Sequence, residues 1–196
     1  FFQNLIPSSF VVLIIFGFTG IINFINFMDG SDGLVASVMS VIFLSAGFLV
    51  SPVYFVLSLS LLVFLRFNFP PAKYFMGDIG SIFIGINYVS ALIFAPDVGV
   101  FFGLIFINTP LFLDPFLTVL KRLVKGENIF LAHNSHLYQR LYLSGFTKKQ
   151  IVLIYLIPTV ILTFVYFITN INILMLTSLL VILYYYYYEN KIQIIN

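Results

Sequence analysis

The chain has no cysteine, which excludes disulfides, cysteine-based zinc sites and thiol chemistry. Charge is nearly as scarce. Only 8% of the 196 residues are charged, against 61% apolar, whereas a soluble domain carries roughly a quarter charged residues. Water is therefore the wrong solvent for most of this chain. Residues 1–28, 34–65 and 150–188 hold no charged side chain at all, and a spanning helix needs about 20 apolar residues. The net charge of +2 is small and does not gather into a patch of the kind that binds nucleic acid. No signal peptide and no internal repeat are visible.

What is present is a series of apolar runs separated by short polar connectors. The runs predict seven spanning helices at roughly 6–27, 34–50, 53–67, 82–96, 98–120, 150–169 and 172–188. The fold class is thus all-α, a polytopic membrane helical bundle forming one transmembrane domain over 1–196. Pro52, Pro70, Pro71 and Pro96 mark helix boundaries, and Pro110 and Pro158 fall inside helices where they can kink them. Six of the nine basic residues lie in 121–149. The positive-inside bias therefore makes that connector cytoplasmic, and counting crossings puts connectors 28–33 and 68–81 on the same side. The tyrosine run 184–188 suits an aromatic belt, with the tail 189–196 inside.

Three connectors carry chemistry. Asn23, Asn26 and Asp29 recur every three residues and share a helix side, followed by Asp32. Gly30 and Gly33 allow a sharp turn or a close approach to a ligand, and the same residues also suit a loop capping two helices. In the second connector Asp78 stands between Gly77 and Gly80 ahead of an apolar helix. It is suited to hold Mg²⁺, while the helix N-terminus faces a phosphate, or else to serve as an N-cap. The third carries His133, His136 and Arg140. Phosphate contact fits them better than zinc, because neither cysteine nor an acid cluster completes a tetrahedral site. A lipid-facing basic loop is the plainer account, and it suits Lys148 and Lys149. Asp114 lies inside a helix, where an acid either serves a function or pairs with Lys121 or Arg122. Asn108 suits contact between helices.

Asn-Phe-Met-Asp-Gly-Ser-Asp-Gly-Leu (26–34), Pro-Ala-Lys-Tyr-Phe-Met-Gly-Asp-Ile-Gly-Ser (71–81) and His-Asn-Ser-His-Leu-Tyr-Gln-Arg-Leu (133–141) occur in that order. In this the chain resembles the polyprenyl-phosphate N-acetylhexosamine-1-phosphate transferases. The third connector is more similar to the branch that starts O-antigen and related surface glycans than to the peptidoglycan branch, which has a run of consecutive histidines there. The resemblance implies a multi-pass enzyme of the bacterial inner membrane with its site facing the cytoplasm. It would move a HexNAc-1-phosphate from a UDP-N-acetylhexosamine to undecaprenyl phosphate, releasing UMP, with Mg²⁺ or alternatively Mn²⁺. A second copy of the chain is a further expected partner, and nucleic acid is not.

By the same resemblance Asp29, Asp32 and Asp78 are the expected catalytic acids, and Asp78 the metal ligand. Asn26, His133, His136 and Arg140 are the substrate contacts that the resemblance implies, and Asn23, Lys73, Gly80, Ser81 and Asp114 are further expected contacts from their own placement. Two departures stand out. Asn134 replaces a residue that is often basic, and the Asp-Asp pair of longer family members is missing. The second departure implies a C-terminal piece of a longer transferase domain. A secondary transporter or lipid flippase is the rival from another class, but transporters place their sites near the bilayer midplane, whereas these acids gather in connectors. An inactive fragment that only binds lipid is a third reading.

Overall fold

The apolar runs fold into nine α-helices among the described residues of the computed structural model, which are 8–128, 131, 134–169 and 171–195. They are α1 (Ser8–Met28), α2 (Leu34–Leu49), α3 (Val53–Asn68), α4 (Gly77–Ile93), α5 (Val98–Ile107), α6 (Thr109–Val124), α7 (Leu137–Leu143), α8 (Lys148–Ile168) and α9 (Ile171–Ile195). Three of them, α1, α8 and α9, are long and apolar enough to cross a membrane alone, and α5 with α6 pass together as a broken span. With the shorter apolar helices α2, α3 and α4, the architecture is the expected polytopic helical bundle.

The order of burial explains the arrangement. α2 is covered nearly all round, with Val35, Val38, Met39, Ile42, Phe43 and Ala46 at 0% exposure. It packs against α3 on one side and α8 on the other. The outer helices keep large apolar side chains such as Leu13, Phe16, Leu59, Val63, Phe164 and Leu183 more than half exposed. Such faces are stable against acyl chains and not against water.

Three differences from the sequence-based expectation matter. First, α4 begins at Gly77 and not near residue 82, so Asp78, Gly80 and Ser81 belong to its first turns. Second, the 98–120 helix is two helices that meet at Asn108 with a 73° bend. Pro110 does not kink a continuous helix; it sits in the first turn of α6, where its missing N–H costs nothing. Third, the connector 125–147 contains the short helix α7.

The chain alternates between two ends of the bundle. All nine basic residues, Arg66, Lys73, Lys121, Arg122, Lys125, Arg140, Lys148, Lys149 and Lys191, fall at the end that carries the three polar connectors. The opposite turns carry one acid, Asp97, whose side chain caps α5 by accepting the Val100 N–H at 2.9 Å.

A candidate phosphate-transfer site at the connector end

Close packing of α1 on α4 builds the first part of the site. A Cβ added at Gly85 of α4 would lie 3.0 Å from the Ile22 Cα of α1, so glycine lets the two backbones approach as small residues do in membrane helix pairs. The helices run antiparallel. One turn forward from Ile22 is Asn26, and one turn back from Gly85 is Ser81. Asn26 Nδ2 accordingly donates to Ser81 Oγ at 2.8 Å and to Asp78 Oδ1 at 3.2 Å. Just past the end of α1, Asp29 lies beside the Gly77 backbone N–H. Burial and then the negative charge of Asp78 push the Asp29 carboxyl up to about 7, against the smaller opposing effect of the Gly77 N–H. Asp78 itself is exposed. Among the described residues no ion pair joins Lys or Arg to either acid, so the pair has unneutralised negative charge.

The first connector is locked to the second by a different set of contacts. Gly33 takes φ +72°, and its N–H donates to Asn68 Oδ1 at 3.0 Å. A side chain there would press on Pro70 and the Phe69 backbone. Asp32 is 7% exposed. Its Oδ2 accepts the Ala72 N–H at 3.1 Å and its Oδ1 the Lys148 ammonium at 2.7 Å. Burial pushes its carboxyl up, but Lys148 and the Ala72 N–H together outweigh that and hold it below the usual range. Asp32 thus stands apart from the Asp29–Asp78 pair in which the sequence reading grouped it, because both its oxygens are engaged elsewhere.

The third connector meets the first through α7. The Tyr138 hydroxyl donates to the Phe27 carbonyl at 3.1 Å, and a Cβ on Gly30 would collide with it. Burial, followed by the charge of Asp114, pushes that phenol up to about 12, so it remains a neutral donor at ordinary pH. Between the connectors lies a cleft of about 350 Å³ lined by Gly30, Ser31, Asn134, Tyr138, Tyr142 and Lys148, among others. The Ser31 hydroxyl is buried without a hydrogen-bond partner among the described residues.

Several expected substrate contacts are placed otherwise. Asp114 is 0% exposed. It accepts the Leu137 and Tyr138 N–H groups at 2.8 and 3.1 Å, the Tyr155 hydroxyl at 2.7 Å and the Thr118 hydroxyl at 3.2 Å. It therefore anchors the N-terminus of α7 and does not open on the cleft, nor does it pair with Lys121 or Arg122. His136 is 4% exposed, with Nδ1 at 3.4 Å from Asp114 Oδ1 and its ring against Tyr138. The Arg140 fork is closed on Glu189 by two bonds of 2.6 Å, and its Nε donates to the Ser135 carbonyl. Asn23 is exposed and donates to Thr19 one turn back in α1. Lys73 is exposed, and Gly80 lies against Met76. His133 lies outside the described residues.

Sequence reasoning missed Glu189, Tyr138, Asn68 and the inward turn of Lys148. The spacing of Tyr138 and Tyr142 at i and i+4 could have marked one face of a helix, but nothing local marks Glu189.

Which cation the acids could take is a question of donor chemistry. No group of three or more His, Asp or Glu converges among the described residues, which disfavours a closed structural site. Two carboxylates of unneutralised charge beside the N-terminus of α4 do fit a magnesium ion, which commonly takes one or two carboxylates and completes its shell with substrate phosphates and water.

The N-terminal half of the chain, residues 1–96, matches the model of Glycosyl transferase family 4. A probable undecaprenyl-phosphate N-acetylglucosaminyl 1-phosphate transferase of Bacillus subtilis (strain 168) is 38% identical over 114 residues, covering 52% of this chain and 32% of the relative. A phospho-N-acetylmuramoyl-pentapeptide-transferase of Clostridium perfringens (strain 13 / Type A) is 34% identical over 111 residues, 55% of this chain and 33% of the relative. A putative member of that second kind from Methanothermobacter thermautotrophicus is 32% identical over 98 residues, 50% of this chain and 26% of the relative. The matched stretch thus spans about a third of the length of these relatives. Over both Asp-Gly connectors, residues 1–96 thus match glycosyl transferase family 4.

Proposed function

We propose that this chain carries the metal and nucleotide-diphosphate part of a transferase that moves a HexNAc-1-phosphate from a UDP-sugar to undecaprenyl phosphate and releases UMP. The observation that carries the reading is the Asn26–Asp78–Ser81 cluster with Asp29 beside it. It joins the two Asp-Gly connectors at the polar end of the bundle. The names of the relatives from Bacillus subtilis and Clostridium perfringens support the reaction class. The spaced histidines of the third connector favour a surface glycan, such as O-antigen, over peptidoglycan. The nine basic residues at the connector end favour a site on the cytoplasmic side of the inner membrane, where a water-borne UDP-sugar and a lipid acceptor can meet.

Both substrates are anionic, and their approach meets like-charge repulsion. Asp78 and Asp29 would hold a magnesium ion, which supplies charge neutralisation and orientation for the diphosphate. Asn26 orients the Asp78 carboxylate. The free N–H groups in the first turn of α4 face anionic oxygen favourably. Tyr138 and the aromatic floor of the neighbouring cleft exclude water from one side of the donor. A phosphate monoester already carries its nucleophilic oxygen, so this machinery acts by positioning and charge and direct attack on the β-phosphorus is the simplest route. A transporter would account for Asp114 as an acid within a helix, and that carboxylate is engaged by α7 and Tyr155.

The test is a membrane assay of the full-length protein against a panel of UDP-N-acetylhexosamines, following UMP and lipid-linked product. Asp78→Asn is expected to lower Mg²⁺-dependent UMP release at least 10²-fold, on the scale of losing an electrostatic contact to the transition state, with membrane insertion intact. Normal turnover in that variant would remove Asp78 from the metal role.

A further inference from the structure

Lys148 is the first residue of α8, where the helix dipole is positive and a cation is disfavoured. The cap is already made by Thr147 and Gln150, which bond each other reciprocally, so the helix itself does not account for a lysine there. Its ammonium turns inward. It lies 2.7 Å from Asp32 Oδ1 and 6.0 Å from the Tyr142 ring centroid, with the side chain 37% exposed. A lysine serving only to meet anionic lipid would extend outward.

The partner it reaches is a junction. Asp32 also holds the Ala72 N–H of the second connector, and the next residue, Gly33, is held by Asn68. Only five residues, 29–33, join α1 to α2. Fixing Asp32 at one end of so short a loop fixes Asp29 at the other, where it meets Gly77 and Asp78.

We propose that Lys148 is a positioning residue for the Asp29–Asp78 pair: through Asp32 it clamps the first connector between the second connector and the start of α8. The claim rests on the reading of that pair as the cation-binding part of a transferase. Lys148 touches neither acid; it acts by removing the freedom of the loop that presents one of them.

The absence of cysteine provides a clean test. A single thiol introduced as Ser31→Cys sits in the connector at a residue 7% exposed. In membranes carrying the full-length protein, with any cysteine outside this chain replaced by serine, its reaction with a water-soluble maleimide is expected to quicken when Lys148→Met is added. It should return to the slow rate with Lys148→Arg, or with the paired exchange of Asp32→Lys and Lys148→Asp. In the UMP-release assay, Lys148→Met in the otherwise natural protein is expected to raise the Mg²⁺ concentration for half-maximal rate about tenfold, as loss of a group supporting a metal ligand does. The KM for the lipid acceptor should not move, and Lys148→Arg should restore the Mg²⁺ dependence. A fall in turnover with the thiol still protected would mean that Lys148 acts on the substrate directly, and would overturn the positioning role; so would protection and Mg²⁺ dependence both unchanged. If the unsubstituted protein releases no UMP from any donor, the transferase reading fails, while the thiol rates still decide whether Lys148 holds the connector.

Discussion

Asp29 shows how a side chain common in turns becomes unusual by where its loop is pressed. A carboxyl exposed in a turn ionises near 3.8, and this one is pushed up to about 7 by burial and by its neighbour Asp78. The sign of the consequence follows from linkage. The folded-state value is above the unfolded one, so ionising Asp29 opposes folding. That opposition is absent below about pH 4 and complete above about pH 7. A cation bound by the ionised acid reverses the balance and displaces a proton as it enters. The affinity of the site for Mg²⁺ is therefore expected to fall as pH drops through 7, approaching tenfold per pH unit below it. Mg²⁺ titrations of UMP release between pH 6 and 8.5 would measure this, and a pH-independent half-saturation would detach Asp29 from the ion. The two Asp-Gly runs announced acids at work, but not which acid works with which. Asp29 and Asp78 come together because α1 and α4 are antiparallel neighbours, whereas Asp32, three positions away, is turned toward Lys148.

Among the helices, the α1–α4 pair sets the geometry of the cluster. Gly85 determines how near they lie, and the residues one turn along each helix inherit the spacing. Gly85→Leu is expected to force α1 outward and separate Asn26 from Ser81. Overpacking of this kind costs about 1–3 kcal/mol, so the protein should still insert and fold while UMP release falls steeply. Thermal unfolding in detergent alongside the assay would show both, and full activity would mean that the cluster does not depend on this contact. The sequence made this pair visible only in part. Hydropathy located both helices, but the start of α4 was placed five residues late, because Gly77–Ser81 is too polar and glycine-rich to read as helix. α7 was missed for a related reason. Seven residues are too few to show periodicity, and its stability comes from Asp114, 23 positions upstream, which accepts its first N–H groups.

For the molecule as a whole, parity was legible and partnership was not. The count of crossings brought the three connectors to one end, and the contacts Gly33–Asn68, Asp32–Ala72 and Phe27–Tyr138 bear that out. The ion cluster that closes the bundle was invisible, because its members, Lys121, Arg140 and Glu189, lie on three helices far apart in sequence. Glu189→Gln leaves Arg140, 27% exposed at its side chain, without its counter-charge. A loss of about 3 kcal/mol is expected, the lower end for breaking a largely buried pair. A fall in the melting temperature of the detergent-solubilised protein would report it, and an unchanged value would show that the cluster adds nothing to stability.

Arg140 must wait for the synthesis of a further 49 residues before its bidentate acceptor exists. On the ribosome α1 to α4 can pair early, since the Asn26–Ser81 and Gly33–Asn68 bonds join stretches 55 and 35 residues apart, whereas Lys148 follows Asp32 by 116 residues. The third connector is held first by Asp114 and Phe27 and gains its Arg140–Glu189 bonds only once α9 has formed. The connector end is therefore complete only after α8 and α9 are made, so a half-inserted chain presents its first two connectors without the clamps that the later helices supply.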